Sequence, residues 1–245
     1  MQTAEPNTFA GPRTAPNWTR TQDDYHLISG AGERAQAAGL VNASWYKCPV
    51  PRARMKQLMQ REDARAIRDT ALWYALIIAA GAVLVATWGT AWAWLAFFVY
   101  ATLYTGPADS RWHESSHGTA FKTRWMNDVL YQMACFQVLR RPSVWKWSHA
   151  RHHTDTLVTG RDPEVAVPLP TDLLGTFLNL FSIKSGPREL WRVLRNAFGI
   201  LGEEEKTFVP EMEWPQMVKE ARVWVLLYAV LIASAIFFGS WLPLA

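Results

Sequence analysis

Five of the six histidines in this chain of 245 residues lie in two short clusters. The first cluster contains His113 and His117, and the second contains His149, His152 and His153. Residues three and four apart share one face of an α-helix, so each cluster presents its imidazoles on one side of a helix. Imidazole binds iron, zinc, copper and nickel alike. Two such helices can direct their imidazoles at a common point, and we therefore predict a metal site.

The first cluster also allows a different chemistry. Residues 113–117 read HESSH, the H-E-x-x-H pattern of zinc proteases, in which two histidines bind zinc and the glutamate is the general base. A zinc peptidase needs only one further ligand, so this interpretation leaves the second cluster unexplained. The sixth histidine, His26, lies in a segment rich in Gly and Pro, and we predict that it is exposed or loosely packed.

The charged residues are segregated along the chain, and the uncharged runs predict membrane spans. Residues 70–107 and 223–245 contain no Asp, Glu, Lys or Arg, and apolar runs of this length are typical of membrane-spanning segments. A single helix over residues 70–107 would be about 57 Å long, roughly twice the thickness of the hydrocarbon layer. We therefore predict a hairpin with spans at about 70–88 and 91–107, and a third span at about 223–242.

The predicted fold class is an all-α membrane protein, in which cytosolic or interfacial helices carry the histidines. Residues 1–50 are rich in Gly, Pro, Ala, Asn and Thr and are predicted to be mostly irregular, while residues 51–245 form the membrane domain. Basic residues concentrate in 51–69, just before the first span, so the positive-inside rule places the N-terminus and the histidine clusters on the cytosolic side. The net charge of +4 is modest, and the sequence lacks basic repeats, which favours contact with membrane lipid and argues against nucleic acid.

Four further elements are predicted around the spans. Residues 124–140 form a helix too short and polar to span, and Ser143 is a candidate N-cap for the helix of the second histidine cluster. Residues 171–199 alternate apolar and basic side chains, which is typical of helices on a membrane surface. Residues 203–205 are three glutamates, which predict a solvated acidic turn.

The two histidine patterns together resemble the integral-membrane fatty-acid desaturases. These proteins carry H-E-x-x-H after a hydrophobic hairpin and H-x-x-H-H about thirty residues later. The flanking sequences GTAFKT at 118–123 and GRDPE at 160–164 also look like bacterial members, and the resemblance runs from about residue 70 to the end. It implies a non-haem di-iron centre on the cytosolic face that introduces a double bond into an acyl chain. The iron ligands that it implies are His113, His117, His149, His152 and His153.

The resemblance also implies the supporting residues and the partners. It assigns no ligand role to Glu114, and we interpret Glu114 and Asp155 as residues that orient ligand imidazoles. Asp162 and Glu164 are interpreted as turn and capping residues. The implied cofactors are two iron ions, with O2 as co-substrate. The implied partners are an acyl-lipid or acyl-thioester substrate and a separate electron-transfer protein of the ferredoxin, rubredoxin or cytochrome type.

One feature of the family is missing from this sequence. The family carries a third histidine box after a second membrane hairpin, whereas no histidine follows His153 here. Five imidazoles cannot fill the coordination shells of two irons, so we expect an N-terminal portion of a desaturase that has no full activity alone. The alternatives are a histidine-box alkyl hydroxylase or carotenoid ketolase, an inert lipid-binding remnant, and a membrane zinc protease.

Overall fold

The computed structural model describes residues 21–41 and 48–240, and these residues contain helices and no strands, which confirms the predicted all-α class. Two short 3-10 helices, Gln22–Tyr25 and Glu211–Glu213, accompany ten α-helices in the described ranges. The α-helices are α1 (Ala31–Ala37), α2 (Arg52–Leu58), α3 (Asp63–Thr87), α4 (Trp92–Ser116), α5 (Arg124–Gln137), α6 (Pro142–Asp155), α7 (Leu173–Leu180), α8 (Ser185–Ala197), α9 (Glu203–Lys206) and α10 (Trp214–Phe238).

Helices α3 and α4 form the predicted hairpin. The turn between them contains Gly89 at φ 84°, a left-handed conformation that glycine adopts at little cost. Along the paired helices, the indole N–H of Trp73 donates a hydrogen bond of 2.7 Å to the carbonyl oxygen of Leu103. Trp73 and Ala108 are buried in one apolar cluster with side chains of α5, so the hairpin packs on the helix that follows it.

Two segments are long and apolar enough to cross a membrane, 52–87 and 211–238, and only 17% of the most apolar window of each is buried. Exposed apolar surface of this extent is typical of contact with lipid. Helix α4 does not reach the same hydropathy, since its apolar part contains four Trp and Tyr side chains with polar N–H and O–H groups. The span predicted at 91–107 therefore stays a prediction.

Helix α4 continues through Pro107 to Ser116 without interruption. The predicted return leg of the hairpin ends near residue 107, but the same helix continues and carries the first histidine cluster. One core then joins this end of α4 to three other helices. Its buried members are Trp112, Tyr131, Ala134, Cys135, Val193, Ala221 and Trp224, from α4, α5, α8 and α10.

The predicted N-cap of the second histidine helix is wrong. Helix α6 begins at Pro142, with Arg141 in the N-cap position. Proline suits the first helical position because it lacks an N–H that would have no partner there and because its φ is already helical. The N–H of Ser143 donates instead to the Glu220 carboxylate of α10 at 2.9 Å, which ties the start of α6 to a candidate membrane span.

The acidic residues 203–205 do not form a solvated turn. They begin the short helix α9, and Glu205 is buried beside the guanidinium of Arg141 and the amide of Asn196. Burial alone would raise the pKa of Glu205, but the charge of Arg141 and hydrogen bonds from Gly202, Arg141 and Asn196 hold that pKa below its usual value. The partners of Glu205 lie 64 and 9 residues away, which local sequence patterns do not reveal.

Part of the predicted irregular segment is ordered. Residues 1–20 and 42–47 lie outside the described ranges, but α1 lies between them and buries Ala31 and Ala35. The side chain of His26 is 64% exposed, as predicted, and its Nδ1 lies 3.0 Å from the carboxylate of Glu204. Farther along, residues 171–199 contain the two predicted surface helices, α7 and α8, which expose Phe177 and Trp191.

Candidate metal centre

Helices α4 and α6 place the two histidine clusters opposite each other. His113 lies in the last turn of α4, and His117 is its C-cap residue. His149, His152 and His153 lie in the second half of α6. The helical spacing predicted from the sequence is therefore present in both clusters.

Four of the five histidines converge. One ring nitrogen from each of His113, His117, His149 and His153 lies within 4.8 Å of the other three. The Nε2 atoms of His117, His149 and His153 form a triangle with sides of 3.1, 3.1 and 3.3 Å. The ring of His113 lies beside them, with its centroid 4.4 Å from that of His149.

The size of this triangle fits a metal ion. Metal–imidazole bonds of about 2.1 Å separate two ligand nitrogens by about 3.4 Å at a tetrahedral angle and about 3.0 Å at a right angle. The observed sides of 3.1 to 3.3 Å lie between these values. His149 is buried, whereas the other three histidines are exposed, so the site is open on one side. This donor set can hold a metal cation that a substrate reaches from that side.

A carboxylate orients the most buried of these imidazoles. The Nδ1 atom of His149 lies 3.0 Å from Oε2 of Glu164, and the hydroxyl of Ser148 donates to Oε1 of the same carboxylate. An ionised carboxylate accepts hydrogen bonds but cannot donate one, so the proton between the two groups lies on Nδ1 of His149. The Nε2 lone pair of His149 is then directed at His117 and His153. Carboxylate support of this kind is typical of histidines that bind metals.

His152 faces a second carboxylate. Its Nδ1 lies 2.9 and 3.0 Å from the two oxygens of Asp162, whose side chain is fully buried. The backbone N–H groups of Leu157 and Glu164 donate to the same carboxylate. Asp162 therefore acts both as the predicted turn residue and as a partner of a histidine, while His152 lies outside the group of four.

The surroundings favour the neutral imidazole at three members of the group of four. Burial lowers the pKa of His113, His117 and His153, and the neighbouring histidines lower it further because two adjacent imidazolium charges would repel each other. A metal ion binds the neutral form of imidazole, so these shifts favour metal binding.

Glu114 and Asp155, which were predicted to orient ligand imidazoles, contact arginines instead. Glu114 pairs with Arg111 at 3.2 Å on the exposed side of α4. Asp155 accepts hydrogen bonds from Arg151 and Arg161, so it braces the loop after α6. The carboxylates that contact the clustered imidazoles belong to Asp162 and Glu164. They follow their histidines by 10 and 15 residues and lie in a turn that folds back on α6, so the predicted turn at 160–164 was the feature that could have identified them.

An arginine links the two histidine helices. The guanidinium of Arg140 lies over two indole rings, 4.6 Å from the centroid of Trp112 on α4 and 4.1 Å from that of Trp145 on α6. The two indoles also contact each other, with centroids 5.7 Å apart. Its Nη2 also lies 2.9 Å from Asp109 of α4. Trp112 is buried and packs edge-on against His149, with ring centroids 5.4 Å apart. This clamp fixes the spacing between α4 and α6.

A polar cleft of about 560 Å³ opens beside His117. The hydroxyl of Ser115, a residue that is 4% exposed, lies in its wall and has no hydrogen-bond partner among the described residues. The basic and acidic side chains that line the cleft are Arg61, Lys122, Arg124, Lys146, Asp128, Glu213 and Glu220. A polar group that enters the cleft comes close to the metal centre.

Comparison with known proteins gives one match. The family Fatty acid desaturase matches residues 108–245, more than half of the chain, and this range includes all five clustered histidines. Comparisons with curated proteins and with solved structures gave no match.

Proposed function

Because the chain belongs to the fatty acid desaturase family, we propose that it is a membrane oxidoreductase that acts with O2 and introduces a double bond into an acyl chain. The observation that carries this proposal is the convergence of four imidazoles from two helices at one point. Membership in a membrane family agrees with the two candidate membrane spans. The basic residues of α2 favour a cytosolic location for the N-terminus and the histidines.

Iron is the proposed metal. His113, His117, His149 and His153 would hold one iron, and His152, oriented by Asp162, would serve a second. Bound iron supplies the oxidising chemistry that breaks a strong aliphatic C–H bond, which no side-chain acid or base can do. The imidazoles would bind the metal in their neutral form. Glu164 and Asp162 would orient His149 and His152 by accepting hydrogen bonds from Nδ1, which leaves Nε2 for the metal.

Five clustered imidazoles cannot complete two iron coordination shells, so two irons at this centre would need further donors. We expect the histidines to bind iron, and product analysis decides whether the 245-residue chain turns over alone.

The cleft beside His117 is the proposed binding place of the substrate head. Its charged lining suits the polar end of an acyl-lipid or acyl-thioester, while the exposed apolar faces of α3 and α10 suit its acyl chain. The proposed source of the two electrons is a separate electron-transfer protein of the ferredoxin, rubredoxin or cytochrome type.

Two other reactions share parts of this arrangement. An alkyl hydroxylase or carotenoid ketolase would use the same histidines and yield an alcohol or a ketone. A zinc protease would need Glu114 as a base beside the metal, but Glu114 pairs with Arg111 and its side chain is 52% exposed. The protease is therefore the weaker alternative.

The test combines metal and product analysis. The chain is purified from membranes, alone and with a reductant system, and its metal content is measured beside the variants His149→Ala and His26→Ala. We expect iron in the wild type and in His26→Ala, and its loss in His149→Ala. Stoichiometric zinc with peptide cleavage, or no metal at all, would contradict the proposal. Among the products, an alkene supports desaturation, whereas an alcohol or ketone supports the oxygen-inserting alternative.

A further inference from the structure

Helix α1 contacts the loop after α6 through two glycines. A Cβ atom added to Gly32 would lie 2.7 Å from the carbonyl oxygen of Gly160 and 2.9 Å from Cγ of Arg161. A Cβ atom added to Gly160 would lie 2.5 Å from the backbone nitrogen of Gly32. All three distances are too short for a real Cβ contact, so the two backbones meet only because both residues are glycine.

Other contacts hold the α1 segment in this place. The amide of Gln22 donates a hydrogen bond of 3.0 Å to the carbonyl oxygen of Pro170. His26 and the N–H of Leu27 both contact the carboxylate of Glu204 in α9, at 3.0 and 3.2 Å. Ala35 is 1% exposed, so one face of α1 is buried. The segment is therefore attached at several points around the loop.

The loop under α1 carries the carboxylates of the metal centre. Asp162 follows Gly160 by two residues and Glu164 by four, and these carboxylates contact His152 and His149. Hydrogen bonds from Leu157 and Glu164 to Asp162 make the loop a single unit. A shift of Gly160 therefore moves both carboxylates relative to their imidazoles.

We propose that segment 22–37 is a positioning element of the metal centre, in which Gly32 seats Gly160 and thereby holds Asp162 and Glu164 against their histidines. This inference rests on the proposed metal centre. It assigns a role to residues that precede the range of the family match, 108–245. The segment acts through the loop and touches neither substrate nor metal.

The expected effect on metal affinity follows from what residues that orient metal-binding histidines contribute. Residues that orient metal-binding histidines typically change metal affinity by about 10–100-fold when they are removed. Gly32→Ala leaves both carboxylates in the chain but displaces them, so we expect a loss near the lower end, about tenfold. The helical backbone of Gly32 accepts alanine without strain, since only its contact with Gly160 and Arg161 opposes the change.

The experiment compares Gly32→Ala with Gly186→Ala in the purified full chain. Gly186 is a matched control because it is also the second residue of its helix, and a Cβ atom there would meet only Ser182 at an ordinary 3.5 Å. Two quantities are measured: the affinity for Co2+ by its absorption spectrum, and hydrogen exchange at the amides of Leu157 and Glu164 without metal. We expect weaker Co2+ binding and faster exchange in Gly32→Ala alone.

Several results would overturn the inference. Unchanged affinity and unchanged exchange in Gly32→Ala would show that the glycine contact does not position the loop. If Gly32→Ala fails to fold, Gln22→Ala replaces it, because that variant removes one anchor without a clash; normal exchange at Leu157 and Glu164 in this variant would also contradict the inference. If the wild type binds no Co2+, the proposed function fails, and the exchange measurement still reports separately whether α1 holds the loop.

Discussion

The two histidine clusters differ in what surrounds their rings. His113 and His117 sit at the end of α4, where their rings contact other imidazoles and Trp112. In α6, by contrast, His149 and His152 each have a carboxylate at Nδ1. The first cluster is placed by its helix, whereas the second is also oriented by a loop that folds back on its own helix. Helical spacing thus brings ligands together, and tertiary structure orients them.

Removal of a ligand from the second cluster is expected to have the largest effect. His149→Ala deletes the imidazole that lies 3.1 Å from both His117 and His153 and takes from Glu164 one of its two partners, the other being Ser148. We expect metal affinity to fall by more than about 100-fold, beyond the usual effect of a supporting residue. Titration with Co2+ or Fe2+ measures this. An unchanged affinity in His149→Ala would contradict its assignment as a ligand.

Removal of the carboxylate charge beside His149 tests whether the loop after α6 orients the second cluster. Glu164→Gln keeps the shape of the side chain but removes the charge at His149, so we expect a loss of metal affinity of about 10–100-fold. The matched control is Glu114→Gln, at the exposed glutamate that pairs with Arg111. We expect its affinity to stay within about twofold of the wild type. Equal losses in the two variants would contradict the assignment of Glu164.

The clamp between the clusters contributes to stability. Arg140→Gln removes the cation–π contacts with Trp112 and Trp145 and the ion pair with Asp109. We expect the free energy of unfolding to fall by about 1–3 kcal/mol. Arg68→Gln is the control, because it breaks only an exposed pair with Asp69 and should cost less than about 1 kcal/mol. Thermal unfolding in detergent measures both, and similar melting temperatures would contradict the role of Arg140.

The stability that the Arg141–Glu205 pair contributes at the start of α6 is expected to decrease in acid. Arg141 holds the pKa of Glu205 below its unfolded value, so the stability from this pair is present above the unfolded pKa. It is lost as the pH falls through the lower folded pKa, with a slope of at most about 1.4 kcal/mol per pH unit for one proton. Unfolding measured between pH 5 and pH 3 should show this slope in the wild type. Glu205→Gln should show a flatter dependence, and an unchanged one would exclude Glu205 as its source.

Much of the fold could be predicted from local patterns. The uncharged run at 70–107 exceeds the length of one span and so predicts the α3–α4 hairpin, and the periodic residues after Thr123 predict α5. The histidine spacing predicts the ligand group because it depends only on helical geometry. The seating of α1 on Gly160 and the burial of Glu205 could not be predicted, because both depend on partners far away in sequence.

The candidate site also contains parts that local spacing predicts and parts that depend on partners farther along the chain. Four of the five histidines meet as their spacing predicts, whereas His152 lies outside the group and faces Asp162. Asp155 is the carboxylate nearest in sequence to the second cluster, yet it pairs with arginines, while Glu164 reaches His149 across a turn. Proximity along the chain was a poor guide to these partners because the turn after α6 reverses the chain direction.

X-ray absorption at the iron edge of the purified chain tests whether the clustered histidines bind iron. We expect bound iron with several nitrogen neighbours at about 2.1 Å, the length of metal–imidazole bonds. We also expect this nitrogen shell to be lost or reduced in His149→Ala and retained in His26→Ala. A chain that binds no iron, or an iron site with the same nitrogen shell in His149→Ala, would contradict the proposed metal centre.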